Sequence, residues 1–171
     1  MPLVSIDTLP DDARTWVFGA TPALDADAAG RLLADVDAHL ADWSAHGAPL
    51  TVGRALDEQR FLVIAVDQRT AGASGCSIDG LFRVLQRAEA GYGVSLVAGG
   101  RVFWRDAHGV VQGGTREDFR ATAAAAQVNL ESRVFDTTVG TLGALRSEFE
   151  KRAAESWHAQ LMPLASASGT P

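Results

Sequence analysis

The run Phe61-Leu62-Val63-Ile64-Ala65-Val66 is unbroken by any polar residue. A strand with one wet face alternates apolar and polar side chains, so a continuous run of this length needs cover on both faces. It is also far shorter than the roughly 20 residues that span a bilayer. The chain must therefore fold around this segment as an inner strand. Leu50–Leu56, joined to Arg60–Asp67 by the polar loop Asp57-Glu58-Gln59, supplies an antiparallel neighbour and makes a hairpin.

Helical periodicity surrounds the hairpin. Leu32, Leu33, Val36, Leu40 and Trp43 fall on one stripe, with Pro22 and Asp25 as start signals and Gly47 as a stop, which predicts a helix over Leu24–His46. Ile78, Leu81, Phe82 and Leu85 predict a second over Ser77–Gly91. Short strands are expected at Trp16–Ala20, Val94–Val97, Arg101–Arg105, Val110–Gln112 and Val134–Thr138. Thr115 with Asp118 reads as a capping box opening a third helix, and Thr141 to about His158 reads as a closing one. The fold class is α+β: a largely antiparallel sheet with helices packed mainly on one side. At 171 residues, with no visible linker, the chain reads as one domain over 1–162, followed by a disordered tail over 163–171.

Composition narrows the function classes. The formal charge of −6 argues against nucleic acid as a partner. Met1 to Pro10 shows no basic segment followed by an apolar run, so no secretory signal is expected, nor any membrane partner. Cys76 is the single cysteine and excludes an internal disulfide, which makes the cytoplasm the expected compartment.

Chemistry concentrates where the inner strand gives way to the second helix, at Ser74-Gly75-Cys76-Ser77-Ile78-Asp79. A helix start presents unpaired N–H groups and a partial positive charge, which bind anions and make a thiol more acidic. Ser74, Ser77 and Asp79 equally suit the plain task of capping that helix. An antiparallel hairpin places its entry and exit side by side, so His46, Asp67 and Cys76 are expected to gather at its open end. There Cys76 would be the nucleophile, His46 the base and Asp67 its orienter. Trp157 and His158 either seal a core or reach the same place. Cys76, His46, His158 and Asp67 have no short ligand spacing, so no metal site is expected, and the residues name no cofactor. His39 and His108 read as surface residues.

At these motifs the chain resembles a family of short uncharacterised bacterial proteins. The matching pieces are Trp43-Ser44-Ala45-His46-Gly47, Arg60-Phe61 through Val66-Asp67, Ser74-Gly75-Cys76-Ser77-Ile78-Asp79, Val134-Phe135-Asp136 and Ser156-Trp157-His158-Ala159. The resemblance implies that His46, Asp67, Cys76, Ser77, Asp79, Trp157 and His158 form a characteristic set. Members often carry the label "ABC transporter ATPase". A P-loop requires Gly-Lys-Ser/Thr after a glycine-rich turn, whereas the only lysine, Lys151, sits between Glu150 and Arg152, so nucleotide hydrolysis is not expected. Residues 102–139, with Phe103-Trp104 and Val134-Phe135, are similar to GYF-type peptide-binding domains, although the Gly-Tyr-Phe element is missing.

Two functions follow as expectations. One is a small-molecule or anion-binding domain, with or without thiol-dependent catalysis, built on Ser74–Asp79 with Gly75, Trp157 and His158 contributing. The other is a non-catalytic module that takes a protein partner on an aromatic surface around Trp104 and Trp157.

Overall fold

The computed structural model describes residues 3–45, 47–69, 73 and 75–163. His46, Ser74 and the tail from residue 164 lie outside the described residues, as do the side chains of Ala45 and Cys76. The chain divides into two compact units: Met1–Gly99 with Asp136–Phe149, and Gly100–Phe135 with Glu150–Pro171. The chain crosses between them at Gly99–Gly100, Phe135–Asp136 and Phe149–Glu150.

The strands of the first unit are β1 (Leu3–Ser5), β2 (Arg14–Gly19), β3 (Ser44–Ala45), β4 (Ala48–Pro49), β5 (Thr51–Asp57) and β6 (Phe61–Asp67). Its helices are α1 (Ala26–Ala41), α2 (Gly75–Tyr92) and α4 (Leu142–Glu148). The second unit holds β7 (Arg101–Arg105), β8 (Val111–Thr115), α3 (Arg116–Ala124), β9 (Arg133–Phe135) and β10 (Glu150–Arg152). The fold is α+β with largely antiparallel sheets.

The inner strand lies where its composition requires. The first sheet has the order β1-β5-β6-β2, parallel only between β1 and β5, and every residue of β6 is buried. Leu62, Ile64 and Val66 face α1 and α2, packing with Leu32, Val36, Leu40, Leu81 and Leu85. Ala65 on the opposite face packs with Leu9, Ala13 and Leu142 of α4. The two long helices thus share one side and the short α4 takes the other. The second sheet, β10-β9-β7-β8, packs Val102, Trp104 and Val134 against Phe119 and Ala123 of α3. The expected capping box is present, with Thr115 Oγ1 accepting from Asp118 N and Asp118 Oδ2 accepting from Thr115 N.

Several elements differ from the sequence reading. α1 starts on the Asp25 side chain, which accepts from Ala28 N, but it ends at Ala41 rather than His46. Gly47, with φ of 79°, serves as the turn between β3 and β4 and not as a helix stop. Val94–Val97 forms no strand; Ser95 makes one isolated bridge to Thr21. The closing helix is cut at Glu148, because Phe149 sets its ring edge-on to Phe61 at 5.0 Å and β10 then pairs with β9. Two short 3-10 turns, Ala153–Glu155 and Trp157–Leu161, replace its second half.

The β5–β6 turn carries a local cost. Arg60 N donates to Asp57 O, and both central residues are left-handed, Glu58 at φ 56° and Gln59 at φ 52°. Two successive left-handed residues, within a three-residue connection between the paired Asp57 and Phe61, suit Asn-Gly far better than Glu-Gln. Gln59→Gly is expected to stabilise the protein by about 1 kcal/mol, read as a raised urea midpoint at unchanged slope.

Candidate functional site

The open end of the hairpin does gather chain segments. Thr51 pairs with Asp67 across β5 and β6, so strand entry and exit lie side by side. Trp43, 3% exposed, donates from Nε1 to Ser77 O at 2.8 Å, and its own carbonyl accepts from Leu50 N. One tryptophan thereby ties the segment after α1 to both the start of β5 and the first turn of α2.

The individual site residues fare differently. Asp67 is buried, and Arg69 occupies both of its carboxylate oxygens, with Nε at 2.9 Å from Oδ1 and Nη2 at 2.7 Å from Oδ2. Those hydrogen bonds hold its carboxyl below the usual carboxylate range and compete with orienting an imidazole. α2 begins at Gly75, so Cys76 is in its first turn and not ahead of it. Ser77 is buried, while Gly75 and Asp79 are exposed. α1 stops at Ala41, and His46 lies outside the described residues.

Trp157 and His158 belong to the second unit. His158 is fully buried, its Nδ1 is 2.7 Å from Ser156 Oγ, and its ring stacks on Trp157 at 3.8 Å and meets the edge of Phe119. These contacts make the pair part of that unit's core. Trp104, expected on an aromatic surface, is 7% exposed and packs edge-on to Phe119. A groove of about 520 Å³ beside it is lined by Asp106, His108, Gln112 and Gln127. Asp106 there is already engaged by His108 N, Val110 N and Gln112 Nε2.

A second hollow was not legible as a site. Between α1 and α2 lies a cleft of about 450 Å³ lined by Asp35, His39, Val84, Arg87, Gly91 and Tyr92. Tyr92 Oη donates to Asp35 Oδ2 at 2.6 Å, fixing its ring, and Arg31 stacks over that ring at 4.9 Å. Arg87 makes no hydrogen bond or ion pair with a described residue. A Cβ built on Gly91 meets only open space, so this glycine leaves room in the hollow. His39, read as a surface residue, instead seats its ring on α2. Burial first, and Arg87 second, hold its pKa below the usual histidine value. The sequence did hold a sign of this: Leu32, Val36, His39 and Trp43 recur at helical spacing, so His39 lies on the buried stripe.

Among the described residues there is no group of three or more His, Cys, Asp or Glu placed to hold a metal ion. Nor is any helix among them long and apolar enough to cross a membrane. No family model, curated protein or solved structure matches the chain.

Proposed function

We propose that the first unit is a small-molecule-binding module that takes an anionic ligand on the side of α2 facing α1. The observation that carries this reading is the 450 Å³ cleft, where Arg87 has no carboxylate partner among the described residues and Val84 adds an apolar lining. Pockets of this kind combine an apolar wall with a few convergent polar groups that orient the ligand. Arg87 would hold a carboxylate or phosphate through paired N–H donors, and the fixed Tyr92 ring would bound its body.

The first turn of α2 remains the alternative place for the anion within the same reading, supported by its helix dipole and by the Trp43–Ser77 tie. Cys76 in that turn carries the thiol-dependent extension of this reading. Its thiol form belongs to a reducing compartment such as the cytoplasm.

Calorimetry with inorganic phosphate, aliphatic and aromatic carboxylates and nucleoside monophosphates tests the proposal. Binding by one of these is expected to weaken roughly 10- to 100-fold in Arg87→Gln, the loss of a charged hydrogen bond. Gly91→Leu, which fills the cleft without forcing a strained backbone, should abolish it. Binding lost in Ser77→Ala but retained in both other variants moves the site to the start of α2. No binding by any probe overturns the reading.

The aromatic-surface alternative is disfavoured by the burial of Trp104. A peptide partner would have to use the groove beside that residue instead.

A further inference from the structure

We propose that His39 is an acid-sensitive latch between the two long helices of the first unit: neutral, its imidazole seats on the bare backbone of α2 at Gly80; protonated, it leaves that seat and frees the first turns of α2. The proposal does not depend on the ligand reading above.

The contact is a close one. A Cβ on Gly80 would lie 3.0 Å from His39 Cε1 and 3.4 Å from Nε2, so the ring edge rests where any larger residue would carry its side chain. His39 Nε2 is buried and has no hydrogen-bond partner among the described residues. An N–H at that position would have no acceptor, which favours the neutral tautomer with its proton on Nδ1. The neutral ring leaves only a lone pair unsatisfied. Adding a proton would bury a cationic donor with nothing to receive it, which is far more costly.

The surrounding charges weigh the same way. Arg87 on α2 lines the cleft beside His39 and opposes a second positive charge. Asp35 on α1 is the acid in that cleft, and its Oδ2 already accepts from Tyr92 Oη. Asp79 and Arg83, flanking Gly80 along α2, are opposite in sign, and Asp42 follows α1 on the exposed surface. Gly80 also lies in the second turn of α2, near the positive end of its dipole. Cys76 precedes Gly80 by one turn.

The sign of the effect follows. With the pKa of His39 lowered in the closed state, the open state binds more protons below the ordinary value of 6.5. The closed seam keeps its full stability above about pH 6.5 and loses it as the pH falls below that value. The loss is at most about tenfold in the opening equilibrium per pH unit. Opening would release the turn that Trp43 holds through Ser77 O.

Amide exchange of residues 77–84, corrected for the chemical exchange rate, and the Trp43 indole N–H resonance should be followed from pH 7.5 to 5. In the wild-type protein, protection of these amides is expected to fall three- to tenfold below pH 6.5, with the indole resonance moving in step. In His39→Gln, which cannot titrate, both should stay flat, and Cys76→Ser should behave as wild type. Gly80→Leu, whose side chain would occupy the place of the ring, should show reduced protection already at pH 7.5 and little pH dependence. A wild-type profile without the fall overturns the latch. So does an unchanged fall in His39→Gln or in Gly80→Leu, and so does its disappearance in Cys76→Ser.

Discussion

Gly53→Ala is expected to destabilise the protein by about 2–3 kcal/mol, although it adds a single methyl group. Gly53 sits in the middle of β5, paired to Val4 on one side and Ala65 on the other. A Cβ there would lie 2.7 Å from Ile6 Cα, 3.0 Å from Ile6 N and 3.1 Å from Ile6 Cβ. The obstacle is mostly backbone, so no rotamer change relieves it. The chain after β1 would have to lift away, taking with it Leu9 and Ala13, which are 4% and 0% exposed. Urea unfolding should show the loss, and amide exchange should accelerate first in Leu3–Ser5 and Ile6–Thr8. A change below about 0.5 kcal/mol would mean that the segment at Ile6 can shift at little cost.

Gly53 also marks what the sequence could convey. The apolar run at Phe61–Val66 forced an inner strand, and the helical stripe at Leu32, Val36 and Leu40 forced a helix over it; both are observed. Those features rest on local periodicity, which one segment carries by itself. The N-terminal strand and its parallel pairing to β5 rest on a glycine two sequence segments away, which no periodicity reveals. The same holds for β10. Glu150–Arg152 has helix-forming residues and follows a helix, yet it is drawn out as a strand because β9 offers an edge. Tertiary pairing overrides propensity there.

The candidate site was legible only in part. That strand entry and exit would lie side by side followed from antiparallel geometry, and Thr51 does pair with Asp67. The roles of single residues did not follow. Asp67 has its charge partner two residues on, in Arg69. From its place within the first helix His39 reads as a surface residue, whereas Gly80 on the facing helix opens a seat for it. Such a pairing of a large residue with a glycine across two helices is a three-dimensional fact. Periodicity could place His39 on the inner stripe but could not name what lay opposite.

The last expectation concerns the residue that joins these features. Trp43→Ala should cost about 3–5 kcal/mol, the range for removing a buried large aromatic, since Trp43 is 3% exposed and packs within the main core of the first unit. That loss alone reports packing. Trp43→Phe is the sharper probe, because it keeps most of the apolar volume and removes the Nε1 donor to Ser77 O. It should cost about 0.5–1.5 kcal/mol, the net worth of one hydrogen bond, because Ser77 O lies within α2 and keeps its helical partner. Its effect should also be local. The first turn of α2 would lose its tie to the β3–β4 side, so alkylation of Cys76 by iodoacetamide should quicken while exchange in β6 stays slow. Equal quickening at both places would indicate general unfolding. No change in either, with a stability loss under about 0.3 kcal/mol, would mean that the hydrogen bond does not hold α2 in place. Between those results, the pattern expected is a stable sheet beneath a loosened helix start, because β6 is paired on both sides by β5 and β2 whereas Trp43 reaches α2 through a single side-chain hydrogen bond.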